Sequence, residues 1–405
     1  MVDVVVIGAG AAGMMCASVA GQRGLSVVLI DHAEKLGEKI RISGGGRCNF
    51  TNREVGTANF LSENPRFAYS ALSRYTPQDF LALLAKYRIG WHEKHRGQLF
   101  CDASSEDIIE VLRQECAAGR VQWRMPCQVD GIEGAAGGGF TLGTSQGPLS
   151  ARQVVIATGG LPVAQIGATD FGLRIAKQFG MPLVDTRPAL VPLTFPAEVW
   201  APFLALAGVS LEVDIRTGEG KAQAQFREDL LFTHRGLSGP AVLQISSHWN
   251  PGQALRIDFC PGQDLRASLR QGKQGGRQHL STLLASMLPK RLADFFLDAS
   301  PALQGKPLGE HRVADVPDRM LDALAASVQA WRITPSGTAG YKKAEVMRGG
   351  VSTRALNQQS LESKTVPGLY FIGEVVDMTG WLGGYNFQWA WSSGVACGRA
   401  LRAAE

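Results

Sequence analysis

Apolar residues occur in this chain as short unbroken runs near both ends and as helically or alternately spaced sets between them. Val4-Val5-Val6-Ile7 is an unbroken β-branched run, and Gly8-Ala9-Gly10-Ala11-Ala12-Gly13 follows it directly. A continuous run bounded by glycine predicts a strand buried on both faces. The small residues from Ala11 to Arg23 predict a helix lying close on a sheet. Gly24 stands where a helix stops, and Ser26–Ile30 predicts the next strand. Residues 3–31 thus predict one βαβ unit.

The same construction recurs later. Gln153-Val154-Val155-Ile156 predicts a buried strand that ends in Ala157-Thr158-Gly159-Gly160. Leu369–Ile372 predicts another, leading through Gly373 and Glu374 to Gly380-Trp381-Leu382-Gly383-Gly384-Tyr385-Asn386 and a final helix. Between these, Phe80, Leu83, Leu84 and Tyr87 give Pro65–Arg88 a helical spacing. Ile108, Ile109, Val111 and Leu112 do the same for Ser104–Ala118. Cys127–Ile132 and Gly139–Leu142 predict short strands. Residues 189–262 alternate between Pro and Gly breaks, as a β-rich lobe does. Residues 263–333 are helical in spacing, with helices expected over Gln278–Leu288 and Arg319–Trp331.

The glycine spacing brings in chemistry. Gly8, Gly10 and Gly13 after a strand, with Ala11 and Ala12 opening a helix, turn backbone N–H groups and a positive helix end toward a phosphate. Asp31 follows the second strand at about the offset where a carboxylate meets a ribose hydroxyl, and His32 is its neighbour. Lys39 begins a second segment, Ser43-Gly44-Gly45-Gly46-Arg47-Cys48-Asn49, continuing to Thr51. Its open amides, with Ser43, Arg47, Asn49 and Thr51 as donors, suit pyrophosphate or sugar oxygens. A dinucleotide site closed by both ends of the chain is the expectation.

Composition narrows the class. A chain of 405 residues exceeds one ordinary core, and 45% hydrophobic with 19% charged residues describes a folded globular protein. The seven cysteines are odd in number and scattered, without Cys-x-x-Cys or Cys/His spacing, so neither a metal site nor a disulfide frame is expected. With no spanning apolar stretch and no basic leader, a cytoplasmic, membrane-free location is the expectation. The net charge of +5 is unevenly spread. Arg266, Arg270, Lys273, Arg277, Lys290 and Arg291 stand in one stretch with a single acid, and Lys342, Lys343 and Arg348 lie near the return to the cofactor domain. Such groups are solvated faces or a phosphate-tracking surface.

The segment 44–52, Trp91-His92-Glu93-Lys94, Gly97–Asp102, Leu231–Ser247 and the block 367–393 resemble the YhiN (HI0933-like) flavoprotein family from end to end. The resemblance implies an α/β fold: a glutathione-reductase-type, FAD-binding, Rossmann-like domain interrupted by a β-rich lobe and a small helical lobe. The expected boundaries are 1–188 with 345–405, 189–262 with 334–344, and 263–333. Non-covalent FAD is expected. Gly8, Gly10, Gly13 and Asp31 take its ADP half, with Val129 beside them. Gly45, Gly46, Arg47, Cys48 and Asn49 lie by the pyrophosphate and flavin, with Thr158, Gly159 and Gly160. Glu374 after Gly373, or Asp377, meets the ribityl chain, and Gly383, Gly384, Tyr385, Asn386 and Phe387 open toward the flavin.

The chain is most similar to the branch that makes dihydrouridine in 23S ribosomal RNA. That implies hydride transfer to uracil with NAD(P)H as a transient reductant, since there is no second GxGxxG, and rRNA or a pre-ribosomal particle as partner. Arg266, Arg270, Lys273, Arg277, Lys342 and Lys343 are the expected RNA contacts. Cys48, Cys101, His234 and Tyr385 are the candidate proton donors, undecided among themselves. A small-molecule oxidase or reductase acting on an amine, ketone or enone is the first alternative. A non-catalytic flavin-containing RNA-binding or ribosome-assembly protein is the second.

Overall fold

A computed structural model describes residues 1–135, 138–220 and 223–403. The chain divides into two compact units, residues 1–189 with 344–405 and residues 190–343.

The first unit is built on a mixed sheet. Strands Gln122–Arg124, Val27–Ile30, Val2–Ile7 and Leu149–Ile156 lie side by side in parallel, and Leu369–Phe371 adds to the far end of Leu149–Ile156. The near end of Leu149–Ile156 pairs antiparallel with Phe140–Thr144, which pairs with Val129–Gly134. Val4, Val5 and Val6 are fully buried, as an unalternating run requires. Burying each contributes on the order of 1.5–3 kcal/mol.

One helix lies directly on this sheet, and a second packs on that helix. Ala11–Gln22 follows the glycine turn, and Gly24, at φ +93°, supplies the left-handed residue that ends it. Helix Tyr385–Ala400 lies on it through Gly394 and Gly398. A Cβ at Gly394 would stand 2.6 Å from the Ala12 carbonyl oxygen, and one at Gly398 would stand 2.8 Å from that of Cys16. Trp389 and Trp391 of the last helix are core residues, donating to Gly373 O at 3.0 Å and Phe50 O at 2.8 Å.

The spacing in Pro65–Arg88 does not become one helix. Tyr69–Arg74 ends at Tyr75, and Thr76 caps a new helix, Pro77–Lys86, with Pro77 at its first position. Apolar periodicity ran through the break because both pieces face the same core, while proline fixed where the second begins.

The second unit holds a seven-stranded antiparallel sheet in the order Trp331–Ile333, Leu255–Asp258, Ser210–Thr217, Ala224–Thr233, Gly236–Ser238, Leu193–Thr194, Gly337–Thr338. Helices Leu265–Gly272, Leu280–Ala285, Lys290–Asp298 and Asp318–Gln329 come from the stretch expected to be helical. That stretch does not stand apart as a lobe of its own. Trp331, expected inside a helix, opens a strand paired with Leu255–Asp258, and its ring meets Phe203, Phe232 and Phe259. The helix expected over Gln278–Leu288 is shorter, Leu280–Ala285, and a separate helix, Lys290–Asp298, begins directly after Pro289.

The glycine turn gives a direct test. A Cβ at Gly13 would run into the Gly8 carbonyl oxygen, whereas one at Gly10 meets nothing within 4 Å. Overpacking of this kind costs about 1–3 kcal/mol or more, so in the ligand-free protein Gly13→Ala should lower the melting temperature by several degrees while Gly10→Ala leaves it nearly unchanged. Equal melting temperatures by calorimetry would contradict this account of the turn.

Candidate functional site

The turns at the carboxyl ends of the parallel strands converge in the first unit. Gly8, at φ +111°, turns the chain, and a side chain there would strike the Ala157 carbonyl oxygen. The Gly8–Gly13 and Ala157–Gly160 turns therefore touch backbone to backbone. Gly10 caps helix Ala11–Gln22 with no side chain accepting from its first amides. Those N–H groups, at the positive end of a 12-residue helix, are what an anion needs.

Asp31 is held in place by the turn it faces. Its Oδ2 accepts from Ala9 N–H at 2.7 Å and its Oδ1 from Ala33 N–H at 2.9 Å, with His32 Nδ1 3.5 Å away. Beside it, Arg124 ends the neighbouring strand in register with Ile30, and one of its guanidinium nitrogens is buried without a hydrogen-bond partner. No sequence motif marks Arg124. Only the parallel pairing of Gln122–Arg124 with Val27–Ile30 brings it here. Thr158 Oγ1 is a second buried and unpartnered polar atom at the strand ends. Buried polar groups without partners are uncommon and call for an occupant. Val129, on strand Val129–Gly134, is buried.

The loop of three glycines is left-handed throughout, at φ +57°, +66° and +84° for Gly44, Gly45 and Gly46. A Cβ on Gly45, Gly46 or Gly159 meets nothing within 4 Å, while one on Gly44 would touch Asn49 N and the Phe100 ring. Gly44 is thus a packing glycine, and the next two leave an open backbone cradle. Ser43 donates to Ile40 O at 2.7 Å, and Arg47 is exposed. Two sequence-chosen asparagines turn inward. Asn49 donates to Leu99 O and accepts from Gly384 N–H, both at 3.2 Å. Asn386 accepts from Gly380 N–H at 2.8 Å and donates to Gly380 O at 2.9 Å. Both lock the glycine turns, and Asn52 Nδ2 does the same by donating to Gly383 O at 3.1 Å. Phe387 stacks on Trp391 at 5.6 Å.

The two acids near Gly373 have separate fates. Glu374 takes Lys39 Nζ at 2.5 Å and Met347 N–H at 2.9 Å, and Gly160 packs against it. Asp377 is buried and accepts from Ser62 Oγ and Glu63 N–H at 3.1 and 2.9 Å. Burial raises its pKa against those bonds. Glu374 stands with the glycine turns. Asp377 is committed to the 62–64 turn.

The proton-donor candidates scatter. Cys48 and Cys101 are fully buried, and burial pushes the Cys48 thiol up to about 12 and the Cys101 thiol higher still. Proton release from either would leave a thiolate sealed from water, which argues against a donor's role. His234 lies in the second unit, exposed on the turn between Ala224–Thr233 and Gly236–Ser238. Tyr385 opens the last helix, sits edge-on to Phe60 and Trp381, and helps line a cleft of about 790 Å³ with Asn52, Arg53 and Arg96.

The expected RNA contacts also divide. Arg266 and Arg270 both bind Asp322, holding its carboxyl well below the usual range, and Lys273 binds Asp318 at 2.6 Å. These three cations tie helix Leu265–Gly272 to Asp318–Gln329 and share their charge with its acids. Arg277, Lys342 and Lys343 are exposed, with no acidic partner among the described residues. Among the described residues no cluster of His, Cys, Asp or Glu could hold a metal ion, and no helix is long and apolar enough to cross a membrane.

The sheet order and glycine turns define an α/β protein with a Rossmann-type domain. The chain belongs to the HI0933-like family, whose Rossmann-domain pattern matches residues 2–400. It is 47% identical over 406 residues to a ribosomal RNA dihydrouridine synthase of Escherichia coli (strain K12), covering 100% of this chain and 98% of that one. It is 44% identical over 401 residues to the protein of the same name from Haemophilus influenzae, with 98% of each covered. It is also 30% identical over 414 residues to a 3-dehydro-bile acid delta(4,6)-reductase of Clostridium scindens, again with 98% of each covered.

All seven cysteines are buried. A thiol-specific disulfide reagent near pH 8 should therefore leave Cys48 and Cys101 unmodified in the folded protein and label them on denaturation. Labelling of either in the folded protein at the rate of a free thiol would restore it as a candidate.

Proposed function

We propose that the protein is an FAD-dependent oxidoreductase that reduces the C5=C6 bond of a uridine in 23S ribosomal RNA to dihydrouridine, with NAD(P)H as reductant. The observation that carries the reading is identity of 47% and 44%, over nearly whole chains, to two relatives named for that reaction. The open backbone cradles at Gly10, Gly45, Gly46 and Gly159, and the unpartnered Thr158 and Arg124 atoms, support a dinucleotide in the first unit.

The amides of Ala11, Ala12 and Gly13 would meet the pyrophosphate, and Asp31 the adenosine ribose. Gly45, Gly46, Arg47 and Thr158–Gly160 would follow the chain toward the flavin, where Lys39 and Glu374 meet the ribityl side. When bound, FAD supplies the hydride chemistry. The chain's own residues orient the uracil, keep water away and provide a proton. A uridine reaching this site leaves its stack at a cost of a few kcal/mol. Trp381 and Tyr385, at the mouth of the last helix, offer ring faces, each contributing ~1–3 kcal/mol on stacking. The relative named as a bile-acid reductase favours a second reading, reduction of a small conjugated ketone on the same scaffold.

Deleting the gene and mapping dihydrouridine in the host's 23S rRNA tests the main reading. Loss of one site, restored by the wild-type gene, is expected together with anaerobic bleaching of the purified flavoprotein by NAD(P)H. Unchanged dihydrouridine without a redundant enzyme, alongside rapid turnover of an enone, would favour the second reading. A flavin that NAD(P)H never bleaches would remove both.

The unpaired cations give a further outcome. Replacing Arg277, Lys342 and Lys343 with Gln should shrink the log–log salt slope of RNA binding by about 2, while FAD content stays constant. Replacing Arg266 and Arg270 should change it less, since Asp322 already neutralises one of the two charges. An unaltered slope in the triple variant, read by filter binding across a salt series, would remove these residues from the RNA surface.

A further inference from the structure

The proposed reaction needs a proton, and none of the sequence-chosen donors stands out as its source. A histidine outside that set does. Strands Asn49–Asn52, Gln98–Cys101 and Trp91–Glu93 form a three-stranded antiparallel sheet in the first unit. Its edge strand carries His92 opposite Phe100, and Phe100 lies opposite Asn49. The sheet backs the loop of three glycines. Cys101 N–H donates to Arg47 O at 2.9 Å, and a Cβ on Gly44 would stand 3.0 Å from the Phe100 ring. Gly45, Gly46 and Arg47, which the proposed function gives to the cofactor, follow Gly44 directly.

Several neighbours are spent on holding the His92 imidazole. Its Nδ1 lies 2.7 Å from Asp102 Oδ1, and its plane stacks on the Phe100 ring at 6.1 Å and 16°. The imidazole and Gly44 therefore share one aromatic support, and Lys94 Nζ stands 5.5 Å from the centre of the same ring. Gly90 makes room for the carboxylate. Asp102 N–H donates to Gly90 O at 3.1 Å, and a Cβ on Gly90 would lie 2.6 Å from Asp102 Oδ2. The carboxylate accepts from Nδ1–H, and Nε2 has no hydrogen-bond partner among the described residues. The two side chains are 40% and 54% exposed, and an ion pair that open adds little to stability. A ring fixed by a carboxylate on one nitrogen and an aromatic on one face, with its other nitrogen unbound, is arranged as an acid or base.

We propose that His92, oriented by Asp102, donates the proton that completes reduction of the uracil ring. This rests on the reading of the protein as a uridine reductase. The reaction needs a hydride at C6, whose electrons come from the reduced nicotinamide by way of the flavin, and a proton at C5. As the C6–H bond forms, the C5=C6 π pair becomes an enolate spread over C5 and the C4 oxygen. The Nε2–H bond of the His92 imidazolium breaks and a C5–H bond forms. A neutral imidazole is left, still donating Nδ1–H to Asp102, and water returns the proton afterwards. His92 is the catalytic residue in this step, and Asp102 is a positioning residue.

The test separates donation from binding. Holoenzyme bleached with NAD(P)H and mixed anaerobically with a 23S rRNA fragment should regain its flavin colour as the uridine is reduced. His92→Gln should keep FAD content, the rate of bleaching and affinity for the fragment within about twofold of wild type. Its formation of dihydrouridine, and the return of colour, should slow about 10²–10⁴-fold. Asp102→Asn, which removes the charge behind the ring, should slow both less, and the double variant should be no slower than His92→Gln alone. Gly90→Ala should act like Asp102→Asn, since its methyl group displaces the carboxylate and leaves His92 in place. An H92Q variant that reduces the uridine at the wild-type rate, or whose loss is matched by lost RNA affinity, overturns the assignment and leaves the uridine reading intact. A wild-type holoenzyme that bleaches with NAD(P)H but never reduces the RNA overturns that reading, and this assignment with it.

Discussion

The site depends on how closely helix Ala11–Gln22 is approached from two sides. Below, Gly8 and Gly13 let the helix start directly over its strand, with the turn pressed against Ala157. Above, Gly394 and Gly398 let helix Tyr385–Ala400 lie nearly backbone to backbone upon it. Arg23, capping the first helix, donates to Gly398 O and Leu401 O at 2.7 and 2.8 Å, closing the last helix's carbonyl end. These contacts place residues from opposite ends of the sequence at fixed distances. A methyl group at either seam would push the strand, the phosphate turn or the last helix out of register.

The last helix passes that placement on to the other turns. Ser393 accepts from Gly373 N–H and Trp389 donates to Gly373 O, fixing the turn that carries Glu374. Trp391 holds Phe50, and Gln388, fully buried, links Thr51 Oγ1 to Tyr75 O. Each such bond contributes only about 0.5–1.5 kcal/mol net, but orphaning one buried partner costs about 1–3 kcal/mol. The asymmetry makes the network rigid: the glycine loop, the Gly373 turn and the last helix hold one arrangement, since any slip leaves amides buried without partners.

This division explains what could be read from the sequence. The βαβ unit was legible because its signal is local, a valine run, glycines at fixed spacing and a stop at Gly24. The break at Thr76 and the strand at Trp331 were not, because apolar spacing reports which face is buried and continues across a change of element. Asn49 reads as a donor to a ligand and Asn386 as opening toward the flavin, but both donate to backbone groups, of Leu99 and Gly380, that only folding brings near. Charge misled for a similar reason. Arg266, Arg270 and Lys273 look unopposed within their stretch, while Asp318 and Asp322 arrive about fifty residues later on the facing helix. Arg124 carries no motif at all; strand pairing alone brings it to the carboxyl edge.

A consequence follows for how one scaffold takes different substrates. Most polar side chains around the turns are spent inward, on amides and carbonyls of the protein itself. What faces outward is backbone at Gly10, Gly45, Gly46 and Gly159, together with a few accessible side chains such as Arg47. Backbone cradles recognise phosphate and sugar but do not discriminate one oxidisable or reducible partner from another. Relatives named for rRNA and for bile-acid chemistry are 47% and 30% identical to this chain over nearly its whole length. Discrimination between such substrates falls to side chains rather than to backbone cradles of this kind. That is why identity along the whole chain carries more functional weight here than the glycine signature with which the sequence begins.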